Sequence, residues 1–123
     1  MGNLLSSAIK MQDSVVATAT LKYDFATNGV VGGTCIVYKN GIPLQTMTTD
    51  TSVVTTTINA GDTFYVTIQN PNTTGQTGCS IDYVVNGSYV TGYFTGGTGV
   101  LSSATFTASA GNEYRFYNNL GAV

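Results

Sequence analysis

The sequence predicts an all-β protein, an antiparallel β-sandwich of about eight or nine short strands. Three observations predict it. From Val15 onward, apolar and polar residues alternate with a period of two. Gly- and Asn-rich turn signals recur at steady intervals along the rest of the chain. The composition favours strands: β-branched Thr and Val are abundant, and only 8% of residues are charged, against about 25% in an average soluble domain.

The chain has 123 residues, of which 42% are hydrophobic. That fits one domain able to bury a core without disulfides or metal. Residues 1–13 read as an N-terminal arm or short helix, and residues 14–123 as the sandwich. In the arm, Asn3 is a candidate cap, and Leu4, Leu5, Ala8 and Ile9 have helical spacing over residues 3–12. A helix that short is marginal alone and needs something to dock on.

In the first strand, Val15, Ala17, Ala19, Leu21, Tyr23 and Phe25 form one face, and Val16, Thr18, Thr20, Lys22 and Asp24 the other, polar apart from Val16. Asn28-Gly29 then turns the chain. Further strands are expected over about 33–39, 43–48, 52–58, 63–69, 79–85, 88–94, 101–108 and 113–118. The turns between them are Asn40-Gly41, Ala60-Gly61-Asp62, Pro71-Asn72, Asn86-Gly87 and Ala110-Gly111-Asn112. Asn and Gly tolerate the positive φ that such turns require. This spacing suits an Ig-like or jelly-roll-like sandwich. Tyr23, Phe25, Tyr38, Phe64, Tyr83, Phe106, Tyr114 and Phe116 are assigned to the apolar side of their strands, hence to the core.

The two halves share an order of features. Ile36, Tyr38 and Asn40-Gly41 precede Ala60-Gly61-Asp62, Phe64 and Val66. Ile81, Tyr83 and Asn86-Gly87 precede Ala110-Gly111-Asn112, Tyr114 and Phe116. In this alignment the second half carries one extra residue before Asn86, read as a bulge. The similarity is either an internal repeat or the reuse of common turns.

Catalytic chemistry finds little to work with. The chain has no His, and its six acids, Asp13, Asp24, Asp50, Asp62, Asp82 and Glu113, are dispersed. Only a meeting of Asp24 and Asp82 in space would supply a carboxylate pair. Cys35 and Cys79 lack an imidazole to activate them and are too few for a zinc site. Two buried thiols are the expectation, with a disulfide between them left open. No Ca²⁺ loop occurs, and the Gly92–Gly99 stretch lacks the residues of a phosphate loop. The expectation is therefore a non-enzyme with no cofactor and no metal. A net charge of −2, with Lys10, Lys22, Lys39 and Arg115 scattered, argues against nucleic acid. No apolar run suits a membrane span, and no secretory signal is visible at the start. Gly2 and Ser6 fit an acylation pattern, but no second anchor follows.

The expected work is then done by a surface. A weakly charged exterior packs against copies or neighbours at little electrostatic cost. The segment Thr55 to Ile68, T-x-x-I-N-A-G-D-T-F-Y-V-T-I, resembles the Ig-like auxiliary or decoration capsid proteins of tailed bacteriophages. The resemblance implies a structural virion protein, assembled in the host cytoplasm. Such a protein binds the outer capsid surface through the major capsid protein, other virion subunits or copies of itself. Leu4, Leu5 and Ile9 are the candidate docking residues. The alternative is a carbohydrate- or receptor-binding module of a tail fibre or surface adhesin. Its candidate patch is Asn86, Tyr89, Tyr93, Asn118 and Asn119, whose Tyr and Asn side chains suit either ligand.

Overall fold

A computed structural model describes residues 16–121. The arm with Leu4, Leu5 and Ile9 lies outside the described residues. Ten strands follow one another: β1 (Thr18–Phe25), β2 (Thr34–Lys39), β3 (Ile42–Met47), β4 (Thr51–Asn59) and β5 (Thr63–Asn70), then β6 (Cys79–Val85), β7 (Ser88–Thr95), β8 (Gly99–Ser102), β9 (Phe106–Thr107) and β10 (Glu113–Leu120). They form two sheets packed as a sandwich. Sheet A has the order β4-β1-β10-β6-β7, and sheet B the order β3-β2-β5-β8, with β9 also paired to β5.

Two details differ from the sequence reading. The expected strand over 101–108 is divided into β8 and β9. Ser103 interrupts it: its amide donates to the Val66 carbonyl (2.9 Å), and its hydroxyl accepts from the Val66 amide (3.0 Å). A side chain thus replaces one rung of the ladder. The sandwich is also not wholly antiparallel. β1 runs parallel to β10, with Leu21 opposite Tyr114 and Tyr23 opposite Phe116.

Period-two alternation builds the core. Leu21, Tyr23 and Phe25 face Val37, Phe64, Val66 and Ile68 across the sandwich, joined by Ile81, Tyr83, Phe116 and Leu120. Phe64 sits among rings, 4.9 Å from Tyr114 and 5.9 Å from both Phe106 and Phe116, centroid to centroid. Tyr83 stacks on Phe106 at 3.8 Å. Tyr23 brings its hydroxyl into the sheet interface and donates to Gln45 Oε1 of the opposite sheet at 2.7 Å. Burial pushes that hydroxyl's pKa up, so it remains a donor. Cys35 and Cys79 are both buried and unpaired.

One core assignment is corrected. Tyr38 is not in the core; it stands on the outer face of sheet B, stacked on Tyr65 at 4.5 Å. Cys35 and Val37 take the inner positions of β2 instead.

The two halves are structurally repeated. In each, a hairpin closes on Asn-Gly, and both turn residues have positive φ: Asn40 54° and Gly41 76°, Asn86 50° and Gly87 80°. Both returning strands bulge three residues after the Gly. Val37 pairs with Gln45 but Tyr38 with Pro43, and Tyr83 with Thr91 but Val84 with Tyr89. The bulged residues are therefore Leu44 and Val90. Each hairpin is extended by the half's last strand, β5 or β10. Each half places its remaining strand, β4 or β8–β9, in the opposite sheet. The equivalence runs Cys35 to Ile81 and Val37 to Tyr83, 46 positions apart, the same separation as Asn40 to Asn86. The extra residue expected before Asn86 is thus absent; both halves bulge after the turn.

Candidate functional site

The two outer faces differ in charge. On sheet A, Lys22 Nζ pairs with Glu113 Oε1 at 2.7 Å, and Arg115 Nη2 with Asp24 Oδ2 at 2.9 Å. Both pairs bridge the parallel strands β1 and β10. Asp24 also accepts from the Asn118 amide (3.0 Å), while Asn118 Nδ2 donates to the Asp24 carbonyl (2.9 Å). Arg115 lies over the Tyr117 ring, 4.0 Å from its centroid. Among the described residues, Asp82 is the remaining charge on this face.

The outer face of sheet B carries no charged side chain among the described residues. Thr34, Ile36 and Tyr38 of β2 lie beside Gln69, Thr67 and Tyr65 of β5, with Val100 on β8. A shallow hollow of about 230 Å³ is set among Thr34, Ile36, Tyr38, Thr67, Gln69 and Val100. Lys39, Asp50 and Asp62 sit at strand ends or in turns, outside this face. The stacked Tyr38–Tyr65 pair fixes two amphipathic rings in place, the side chains that interfaces favour.

One edge strand of each sheet carries a feature that discourages open-ended sheet growth. β3 carries Pro43 and the Leu44 bulge, and β7 of sheet A carries the Val90 bulge.

Comparison with protein-family models, curated proteins and solved structures found no match. The site must therefore be read from its own geometry.

The sequence-derived patch of Asn86, Tyr89, Tyr93, Asn118 and Asn119 does not assemble. Asn118 is fully buried on the inner side of β10, locked to Asp24. Tyr93 packs against the core opposite Ile81, whereas Tyr89 is exposed. Asn86 is held in a turn by Glu113 and Asn112. Asn119 is half-buried beside Ser80. Alternation separates Asn118 from Asn119 on β10, and the Val90 bulge shifts the phase of β7 between Tyr89 and Tyr93.

Asp24 and Asp82 share the outer face of sheet A, with one strand between theirs. They stand on β1 and β6, with Tyr117 of β10 between them, opposite Asp82. Asp24 is already engaged by Arg115 and the Asn118 amide. No group of three metal-ligating side chains occurs among the described residues.

A second hollow, of about 340 Å³, lies on the outer face of sheet A. Ser80, Asp82, Tyr89, Gly92, Tyr93 and Phe94 line it, so Tyr89 and Tyr93 of the expected patch do border one hollow. Of these, the sequence singles out Tyr89 and Tyr93 as candidate ligand-patch residues and Asp82 as a candidate carboxylate. Asp82, Gly92 and Phe94 are brought together by the β6–β7 hairpin that Asn86-Gly87 closes and by the Val90 bulge, and the bulge has no local signal in the sequence.

Proposed function

We propose that this protein is a structural virion component, an auxiliary or decoration protein that binds the outer capsid surface and stabilises or decorates the shell. The observation that carries the reading is the uncharged outer face of sheet B. Placing that face against another subunit strands no ion there, so desolvation costs little. The likeness of Thr55–Ile68 to phage head decoration proteins supports the same reading.

The mechanism is surface burial. A contact of roughly 800 Å² per partner suffices for a specific interface. Repetition over a symmetric shell adds avidity without new contacts. The chain enters the sandwich at the end bearing the Asn-Gly and Ala-Gly turns, where the Ala60 amide donates to the Ala17 carbonyl and the Gly111 amide to Thr18 (both 2.9 Å). Leu4, Leu5 and Ile9 precede that entry point and supply a second docking element in the proposal.

Mass spectrometry of purified virus particles from the source tests the assignment. Peptides of this chain in fixed ratio to the major capsid protein support it. Their absence from particles, with the protein abundant in the particle-free fraction, refutes it.

A further inference from the structure

We propose that the hollow over Gly92 binds the guanidinium of an arginine side chain presented by a partner protein. This goes beyond the capsid reading and stands on sheet A, so it holds or fails whatever sheet B docks against.

Convergence is the first support. A Cβ built on Gly92 would lie 2.8 Å from Asp82 Oδ1 and 2.8 Å from the Tyr89 hydroxyl. Two oxygens from neighbouring strands therefore lean over the same glycine, and any side chain there would push them apart. Charge is the second. The ion pairs on this face join Lys22 to Glu113 and Arg115 to Asp24, so among the described residues Asp82 is the one charge on it outside an ion pair. Arg115 is also committed to the Phe116 carbonyl and the Tyr117 ring. The whole chain carries a net charge of −2, which favours a cationic partner.

The chemistry of the lining selects the ligand. A carboxylate only accepts hydrogen bonds, and the Ser80 and Tyr89 hydroxyls can accept as well. An acceptor-rich hollow suits a ligand made only of donors. Guanidinium has five donors and no acceptor, meets a carboxylate with two parallel bonds, and stacks on aromatic rings. Tyr89 and Phe94 present such rings, 66% and 59% exposed.

The repeat supplies an internal control. At the equivalent positions of the first half, Ile36 replaces Asp82 and Thr46 replaces Gly92. There the carboxylate is gone and the gap is filled, so the arginine site belongs to the second half alone.

The test is an NMR titration of the ¹⁵N-labelled full chain with N-acetyl-arginine amide, using the neutral isostere N-acetyl-citrulline amide and free galactose as comparison probes. The expected result is saturable shifts at Ser80, Asp82, Gly92 and Phe94 with the arginine probe alone, weakening as salt rises. Asp82→Asn is expected to weaken binding by about tenfold or more, the size of a lost charge-assisted contact. Gly92→Thr, which copies the first half, is expected to abolish it, while Asp82→Glu retains it. The dispersed amide spectrum of each variant reports its fold. Equal shifts with citrulline, shifts with galactose instead, no shifts at all, or an Asp82→Asn variant that binds like wild type would each overturn the proposal.

Discussion

Asn40 and Asn86, one in each half of the chain, make the same three hydrogen bonds. Asn40 donates its amide to the Thr63 carbonyl (2.8 Å), accepts from the Thr63 amide on Oδ1 (2.9 Å) and donates Nδ2 to Asp62 Oδ1 (3.0 Å). Asn86 does so with the Glu113 carbonyl (2.8 Å), the Glu113 amide (2.8 Å) and Asn112 Oδ1 (3.1 Å). Each clamp ties an Asn-Gly hairpin to the Ala-Gly turn that starts the half's last strand. Reused turns alone do not reproduce matching bulges, register and clamps, so the internal repeat is a property of the fold.

The repeat predicts matched energetics. Asn40→Ala and Asn86→Ala each lose a side-chain clamp and place Ala at positive φ. Each is expected to cost about 1–3 kcal/mol. Urea denaturation of the two variants checks this; a neutral effect at one site with a large effect at the other breaks the equivalence.

Acid weakens the first clamp and not the second. Hydrogen bonds from Asn40 and from the Asn59 amide hold the Asp62 carboxyl below its usual range. The Thr27 amide and hydroxyl do the same for Asp50. A depressed folded pKa means stabilisation present above the unfolded value of about 3.9, lost as pH falls through the folded values. The melting temperature should therefore drop below about pH 4. Asp62→Asn copies Asn112 and should flatten part of that drop in a pH series. An unchanged acid limb would count against the clamp.

Gly33 is required by packing. A Cβ there would run into Leu120 Cδ1, whose side chain is fully buried. Gly33→Ala is expected to destabilise by about 1–3 kcal/mol through overpacking. Recovery in the double variant Gly33→Ala, Leu120→Val would show that the clash is the cause.

Phe64 is the hub of the ring cluster that joins the sheets. Phe64→Ala should cost about 3–5 kcal/mol, a large part of a typical domain's stability. Loss of near-ultraviolet circular dichroism at moderate urea, well before wild type, is the expected readout.

Strands and turns were legible in the sequence because they are local. Alternation in Thr18–Phe25 and the Asn-Gly pairs each state their own geometry. Phase was less legible where both faces are apolar. In β2, Ile36 and Tyr38 compete with Cys35 and Val37, and alternation alone cannot decide which pair turns inward. Choosing Tyr38 misplaced one ring and shifted the repeat alignment by one residue. The parallel pairing of β1 with β10 joins opposite ends of the chain, so no local pattern announces it. The uncharged face of sheet B was illegible for the same reason, since it exists only once β2, β5 and β8 are aligned. The meeting of Asp82 and Tyr89 over Gly92 is local to one hairpin but depends on the Val90 bulge, which alternation does not announce.

Capsid binding by two charge insertions tests the central claim most directly. Thr67 lies on the outer face of sheet B, and Thr57 on the outer face of sheet A, opposite Thr20. Binding of each variant to capsids stripped of this protein should fall by at least about tenfold for Thr67→Glu, the cost of burying one unpaired charge. Thr57→Glu should bind as wild type does. Full binding by Thr67→Glu, with its melting temperature unchanged, would contradict docking through sheet B.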